Sequence, residues 1–387
     1  MKGIKLFIIF FLFLNGFLFA QSDNSPFTFR GYVKQMSILN FFPGDSLITD
    51  NFIHNRLNLQ YDLNSKIVAR VEMRNRIFYG ESVRLNPFYQ EMIDVDPGYL
   101  DLSFIWMEHS GAFAHSIFDR AWIGYVDGNF EAKAGRQRIN WGMNVVWNPN
   151  DIFNAFNFVD FDYEERPGND AIRLQNYFGS GNKIELAYAP GRTENEHIGA
   201  FMYKFNKGSY DIQVLGGVFR DDYVAGIGWA GNLKTAGFKG EASYFVNREK
   251  NYDTVDVLSL SASVDYSFKN GLYMLGSFLI NSNGRSSIIG LENTNSLAGN
   301  NFSAKNLMLT RYSGFYQLNY PVTPLFSPGL AAIYGFEADL LFIMPSMTYS
   351  IASNWDLDLV GQLYFVKFDG KYQNLVNSIF TRVKWSF

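Results

Sequence analysis

The 387-residue chain contains no cysteine. That excludes disulfides, thiol chemistry and a lipid-modified N-terminal cysteine. After its first twenty residues it also lacks any apolar run near the roughly 18 residues that a helical membrane span requires, so helical spans are excluded. Histidine is scarce, with only His54, His109, His115 and His197. No pair of them has metal-binding spacing on one face, and neither G-x-S-x-G nor H-E-x-x-H occurs. The sequence therefore reads as a non-enzyme with no cofactor and no metal. The acids Asp160, Asp162, Glu164 and Glu165 read as solvated loop charge rather than a calcium site. A net charge of −4 without a basic cluster argues against nucleic acid as a partner.

What the chain does have is aromatic residues, 18% of the total, set in alternating patterns. Ile53, Leu57, Leu59, Tyr61 and Leu63 take one parity, against His54, Arg56, Asn58, Gln60 and Asp62. Leu258, Leu260, Ala262, Val264, Tyr266 and Phe268 alternate with four serines and Asp265. Trp355, Leu357, Leu359, Gly361, Leu363 and Phe365 oppose Asp356, Asp358, Val360, Gln362 and Tyr364. Period-2 alternation is the mark of strands with one oily and one polar face. Lipid outside and water inside a barrel accounts for it. A secreted β-sandwich also alternates, but the undivided length, the aromatic load and the terminal Phe387 favour the barrel.

Residues 1–20 carry Lys2 and Lys5, an apolar core from Leu6 to Phe19, and Ala20 before Gln21. This is the pattern of a cleaved secretory leader, leaving 21–387 as one barrel domain. Tight connectors rich in Gly and Asn, which supply positive φ, alternate with longer segments near 39–51, 80–115, 140–169, 247–256, 282–307 and 368–373. The alternation predicts strands at 27–38, 52–63, 66–79, 116–126, 129–139, 170–178, 183–190, 197–205, 209–220, 222–232, 236–247, 255–268, 271–281, 307–320, 329–335, 340–352, 355–367 and 374–387. The expected fold is all-β: one transmembrane antiparallel barrel of about 18 strands (16–18), with short periplasmic turns and long external loops. Residues 99–106 are read as loop. Strands begin directly after the leader, which leaves no room for a plug domain.

The last strand places Ile379, Thr381, Val383, Trp385 and Phe387 on one face. It resembles the final strand of bacterial outer-membrane barrels, and Val383, Trp385 and Phe387 correspond to the end that the assembly machinery reads.

On the inward parity, a three-residue turn at Asn64 would pair positions summing to 128. Arg56 would then face Glu72, Asn58 face Arg70 and His54 face Arg74, with Arg76 following. Two readings stay open. Either the charges pair off as a solvated wall, or Arg70, Arg74 and Arg76 form a basic track that guides anions. A second constellation runs from Arg136 and Arg138 through Trp141 to Arg173. Asn148-Pro149-Asn150-Asp151 predicts a short helix over 149–156. A loop of about 30 residues exceeds a simple connector. It caps the mouth or folds into the bore as a constriction, the second being preferred here. Strict alternation would send Arg136 and Arg138 to lipid. A bulge at Gly135, or a position beyond the hydrocarbon band, would relieve this.

Gly135-Arg136-Gln137 with Trp141-Gly142, the Asn148-Pro149-Asn150 loop and Arg166-Pro167-Gly168 resemble alginate-export and related uncharacterised porin-like families. Residues 320–325, Pro345-Ser346-Met347-Thr348-Tyr349 and Ser353-Asn354 resemble the same group. The resemblance spans most of the mature chain. It implies a single-chain barrel passing polar or anionic solutes, with Arg136, Arg138 and Trp141 near the constriction. The resulting expectation is an outer-membrane channel for passive diffusion of small polar solutes, whose path includes Arg56, Arg70, Glu72, Arg74, Arg76 and Arg173. Its partners would be outer-membrane lipid and lipopolysaccharide, the barrel-assembly machinery and the solute, and it would be a monomer or trimer. The rival is a loop-closed barrel that binds or assembles surface polysaccharide. The loop aromatics Phe88, Tyr89, Tyr99, Phe104 and Trp106, and Trp147, Phe153, Phe156, Phe158 and Phe161, would then stack on sugar.

Overall fold

The computed structural model describes residues 25–387 apart from 45, 156–161, 163–165, 180, 250–254, 286–301 and 369. The leader over 1–20 lies outside the described residues. Nineteen strands occur among them. The first seven are β1 (Phe27–Phe42), β2 (Ser46–Asp62), β3 (Ile67–Gly80), β4 (Ser103–His109), β5 (Ala112–Asp127), β6 (Phe130–Gln137) and β7 (Asn169–Phe178). Then come β8 (Asn182–Ala189), β9 (Ile198–Lys207), β10 (Tyr210–Phe219), β11 (Asp222–Leu233), β12 (Ala236–Asn247) and β13 (Val257–Ser267). The chain finishes with β14 (Tyr273–Asn281), β15 (Tyr312–Asn319), β16 (Phe326–Gly335), β17 (Leu340–Ala352), β18 (Trp355–Phe368) and β19 (Lys371–Ser386). Two single-turn helices, α1 (Glu81–Leu85) and α2 (Tyr89–Ile93), lie between β3 and β4.

Neighbouring strands pair antiparallel, and β1 closes the sheet on β19, giving a closed barrel of 18 strands. β4 is the extra element. It pairs only with residues 112–117 of β5, while β6 takes 121–127 on the same side. Residues 99–106 are therefore loop with a short strand laid above β6, not a member of the barrel. Two expected long connections are tight turns instead. β1 and β2 pair out to Phe42↔Ser46, with Pro43-Gly44 forming the turn, and β18 and β19 pair out to Phe368↔Lys371. In each a glycine in the left-handed region, Gly44 (φ +85) or Gly370 (φ +77), lets the chain reverse at once. The register of β2 on β3 also differs from expectation: His54 faces Arg76, Arg56 faces Arg74, Asn58 faces Glu72 and Gln60 faces Arg70, because the turn spans residues 63–66. A shift of two preserves parity, so all of these residues keep the inward face.

Burial follows the alternation. In β8, Ile184, Leu186 and Tyr188 are exposed on the outside, while Glu185, Ala187 and Ala189 are buried inside. One sector of the exterior breaks the rule. Asn55 sits among outward apolar residues of β2 and accepts from Asn75 Nδ2 at 3.2 Å. Ser116 then donates to Asn75 at 2.6 Å and Trp106 Nε1 to Ser116 at 2.9 Å. Each amide or hydroxyl in this chain is satisfied by the next, which offsets the cost of polar groups on an apolar face.

At the seam, Gly31 and Phe387 exchange both backbone hydrogen bonds at 2.9 Å. The Phe387 ring lies beside Phe29 and Trp385, with centroids at 5.9 and 5.1 Å. A Cβ at Gly31 would overlap the Arg56 carbonyl oxygen and press on the Phe387 ring. The aromatic ring covers a glycine that has no side chain of its own to pack. Gly31→Val should therefore destabilise the folded barrel by about 1–3 kcal/mol. Urea unfolding in vesicles, followed by tryptophan emission, would read this, and an unchanged midpoint would remove the seam's dependence on that contact.

Candidate functional site

The connection from β6 to β7 turns into the barrel. Its anchors are inward side chains of β8, β10, β12 and β13. Trp141 Nε1 donates to Glu185 on β8 at 2.7 Å, and the Trp141 carbonyl accepts from Gln213 on β10 at 2.8 Å. Glu241 on β12 is wholly buried and accepts from three loop amides, those of Met143, Asn144 (2.6 Å) and Asn150 (2.9 Å). Asn150 Oδ1 takes the Ser243 hydroxyl at 2.7 Å, and Ser261 and Ser263 on β13 hold Asn144 and the Trp147 carbonyl. Apolar packing completes the attachment. Trp141 meets Phe153 edge-on at 5.0 Å, and Trp147 meets Phe315 at 6.1 Å beside Leu275, Leu279 and Leu307. The preferred inward course is thus the one found.

The helix expected over 149–156 is not formed over 149–155. Asp151 N–H closes one turn on the Asn148 carbonyl at 3.1 Å, but the Asn150 amide is taken by Glu241. Further along, the Phe153 carbonyl accepts from Asn169 and the Asn154 side chain bridges the Ile139 amide and the Pro167 carbonyl, so the segment is held by outside partners rather than by a following turn. Phe156, Phe158, Phe161, Asp160, Glu164 and Glu165 lie outside the described residues. A group of three or more metal-ligating side chains is absent among the described residues.

The opposite wall carries the cations. Arg56 donates to Glu72 and Asp119, both at 2.5 Å, and Arg74 stands 3.4 Å from Asp119. Arg70 reaches the other oxygen of Glu72 at 2.5 Å and keeps 39% of its side chain exposed. Arg76 contacts His115 at 3.2 Å and lies over the Phe78 ring. Arg56 and Arg74 are buried, so the Arg56–Glu72 pairing expected from sequence exists, diagonal rather than directly across. Asp119 is the group that sequence reading missed. A bulge between Glu72 and Met73 turns it onto the arginines.

Arg136 faces neither lipid nor open bore. It is 2% exposed and is clasped by Asp170 at 2.8 Å, Asp96 at 2.6 Å and the Leu100 carbonyl at 2.6 Å. Gly135 just before it has φ +112, and β6 keeps its register through Trp122↔Gly135. The local twist thus comes from a positive φ and not from a slipped pairing. Arg138 begins the loop, near Arg166 and Asp151. Arg173 pairs with Glu185 at 2.8 Å, joined there by Lys183 at 2.8 Å. Trp141 is 1% exposed.

One loop residue crosses to the cationic wall. Asp162 meets Lys34 Nζ at 2.6 Å and Arg382 Nη1 at 3.3 Å. Burial pushes its carboxyl up, but the neighbouring His54 imidazole and the Lys34 charge outweigh that and hold it well below the usual carboxylate range. Asp151 behaves in the opposite way. Burial pushes it up to about 6, against the pull of Arg166, which is 2.6 Å away, and of the Trp141 amide. At the long-loop end, a cleft of about 400 Å³ opens between residues 96–99, 152–155, Arg192 and Arg220.

No family model and no curated protein matches the sequence. Solved structures of similar shape are found. Acinetobacter baumannii OccAB4 superposes with a TM-score of 0.59 at 10% identity, over 94% of this chain and 98% of that one. Pseudomonas aeruginosa OccK11 (OpdR) gives 0.57 at 9% identity, over 93% and 96%. Pseudomonas aeruginosa OccK1 (OpdK) gives 0.56 at 7% identity, over 93% and 98%. The chain thus has the fold of the Occ/Opd outer-membrane porins.

Two outcomes follow from these anchors. Glu241→Gln puts an amide NH₂ or a single oxygen where three N–H groups converge, so it should loosen the loop by about 2–4 kcal/mol. Limited proteolysis between residues 140 and 168 would show faster cleavage in the variant. Asp151 is raised in the folded state, so its ionisation opposes folding and the cost grows as pH rises from about 4 to about 6. Asp151→Asn should therefore gain melting temperature, relative to wild type, on going from pH 4.5 to pH 8. A pH-independent difference would remove Asp151 as a titrating group.

Proposed function

We propose that this chain is an outer-membrane channel for passive diffusion of small polar solutes, with a preference for anions. It would be exported by cleavage of residues 1–20 and inserted by the barrel-assembly machinery into a bilayer of lipid and lipopolysaccharide. One observation carries the reading: inside a closed 18-stranded wall, a loop is fastened to β8–β13 while the cations gather across the bore on β1–β3, β5 and β19. Such an arrangement narrows the bore and sets an electrostatic bias along one side of it. The Occ/Opd likeness supports the fold on which this rests.

Within the proposal, the roles of the predicted path residues divide. Arg70, Arg76 and Arg173 keep part of their side chains accessible and would meet solute. Arg56, Glu72, Arg74 and Arg136 would hold the wall's shape, and Trp141 the loop's. Monomer and trimer both suit the exterior. No catalytic role is assigned.

The test is single-channel recording of the purified mature protein in a planar bilayer under a potassium chloride gradient. Steady conductance with an anion-leaning reversal potential is expected. The preference should fade between 0.1 M and 1 M salt, where the screening length falls from about 10 to about 3 Å. Neutralising Arg70 and Arg76 together, the members of the track that keep access to solute, should lower the anion preference severalfold, and an unchanged reversal potential would remove the basic track. A folded but silent barrel would favour the loop-closed, polysaccharide-binding alternative.

A further inference from the structure

The wall is not of even height. β1, β5 and β19 have 16 residues each, whereas β8 has eight and its neighbours β7 and β9 have ten. At about 3.3 Å per residue and a tilt of about 40°, eight residues rise roughly 20 Å, short of an apolar band of about 25 Å. Two cavities meet at this low rim. Outside, the rings of Tyr188 and Phe201 lie beside Gly199 and Gly216, and with Ile172 and Leu186 they line an apolar groove of about 440 Å³. Inside lies the cleft of about 400 Å³, lined by the buried Ile152, Phe153, Ile198 and Phe219. Only a residue or two of strand separates them: Ile172 from Asp170 on β7, Tyr188 from Ala189 on β8, Gly199 from Ile198 on β9.

Arg192 and Arg220 stand exposed at the edge of the cleft. Arg192 Nε donates to the Tyr99 carbonyl at 3.5 Å, and the Arg220 guanidinium lies over the Phe219 ring at 5.2 Å. Among the described residues neither is ion-paired. The carboxylates of the cleft are committed elsewhere. Glu196 accepts from the Arg192 and Thr193 amides at 3.0 and 3.3 Å, and Asp96 and Asp170 clasp Arg136. Two cations thus border an apolar cleft that continues over the rim into a groove facing lipid.

We propose that this rim binds one anionic lipid of the surrounding outer leaflet. Its phosphate sits in the cleft against Arg192 and Arg220, and an acyl chain passes over the rim into the groove beside Tyr188 and Phe201. Guanidinium groups bind phosphate through charge-assisted hydrogen bonds, and the chain gains by filling an apolar groove. A free anion gains only the first and a neutral lipid only the second. The site needs the barrel in a membrane but no current through it.

Native mass spectrometry of the mature barrel in a neutral maltoside detergent counts bound lipid directly. Titration with phosphatidylglycerol should give one retained lipid. Phosphatidylcholine with the same chains should reach half-saturation only at about tenfold higher concentration or more, the scale of one charge-assisted hydrogen bond. Arg192→Gln combined with Arg220→Gln should bring phosphatidylglycerol to the level of phosphatidylcholine. Lys66→Gln combined with Lys204→Gln removes the same charge at the other end of the barrel, where these lysines pair with Asp127 and Asp211 at 2.8 and 2.9 Å. That control should leave the phosphatidylglycerol titration as it was. Equal titrations of the two lipids would overturn the site. So would an unchanged titration in the arginine variant, or an equal loss in the lysine variant. Glycerol 3-phosphate carries the phosphate without a chain and should leave the lipid bound at a tenfold molar excess. Its displacing the lipid would mark a free-anion site and overturn the lipid. If the arginine variant does not give the compact barrel on a heat-modifiability gel, the wild type decides, through the two-lipid comparison and the glycerol 3-phosphate competition.

Discussion

Every backbone N–H and C=O in the wall of a barrel needs a partner on a neighbouring strand, because lipid supplies none. A sheet with two free edges cannot meet that condition, so the first and last strands must find each other. An even number of up-and-down strands returns the chain to the rim where it started, which lets β19 run antiparallel to β1 over ten register positions, from Tyr32↔Ser386 to Phe41↔Asn377. The Gly31–Phe387 exchange finishes this ladder at its lower end. Once the seam is closed, every side chain is assigned to the outside or the inside, and the chemistry of the bore follows from the inward half.

Inside, charge is organised by hubs. Glu185 gathers Arg173, Lys183 and the Trp141 indole, Asp119 gathers Arg56 and Arg74, and Glu241 gathers three loop amides. Each buried carboxylate has more than one donor, which is the condition under which burying it is tolerable. The two sides of the bore differ in sign and so hold the loop differently. Acids and serines of β8–β13 take its N–H groups and amides, while cations of β1 and β19 take the carboxylate of Asp162.

Much of this was legible from alternation alone. The strand set, the extra segment before β5 and the inward parity of Arg56, Arg70, Arg74 and Arg76 all follow from period 2, because a register error of two residues does not change the face. The failures share a cause. Parity marks a residue as inward but does not name its partner, so Asp119, displaced by a bulge, and Glu241, which is bound to backbone rather than side chains, left no sequence signal beyond their position. The helix at 149–155 failed because its backbone groups are held by partners outside the segment, Glu241 and Asn169 among them, which a local cap signal does not register. Asn55 interrupted an otherwise apolar face, and its compensation depends on Asn75 and Ser116, which are distant in sequence.

The described residues of the connection between β6 and β7 touch both sides of the tube, β12 through Glu241 and β1 and β19 through Asp162. A change of charge on either wall therefore acts on the same connection, and the two sides of the bore cannot be altered independently of each other.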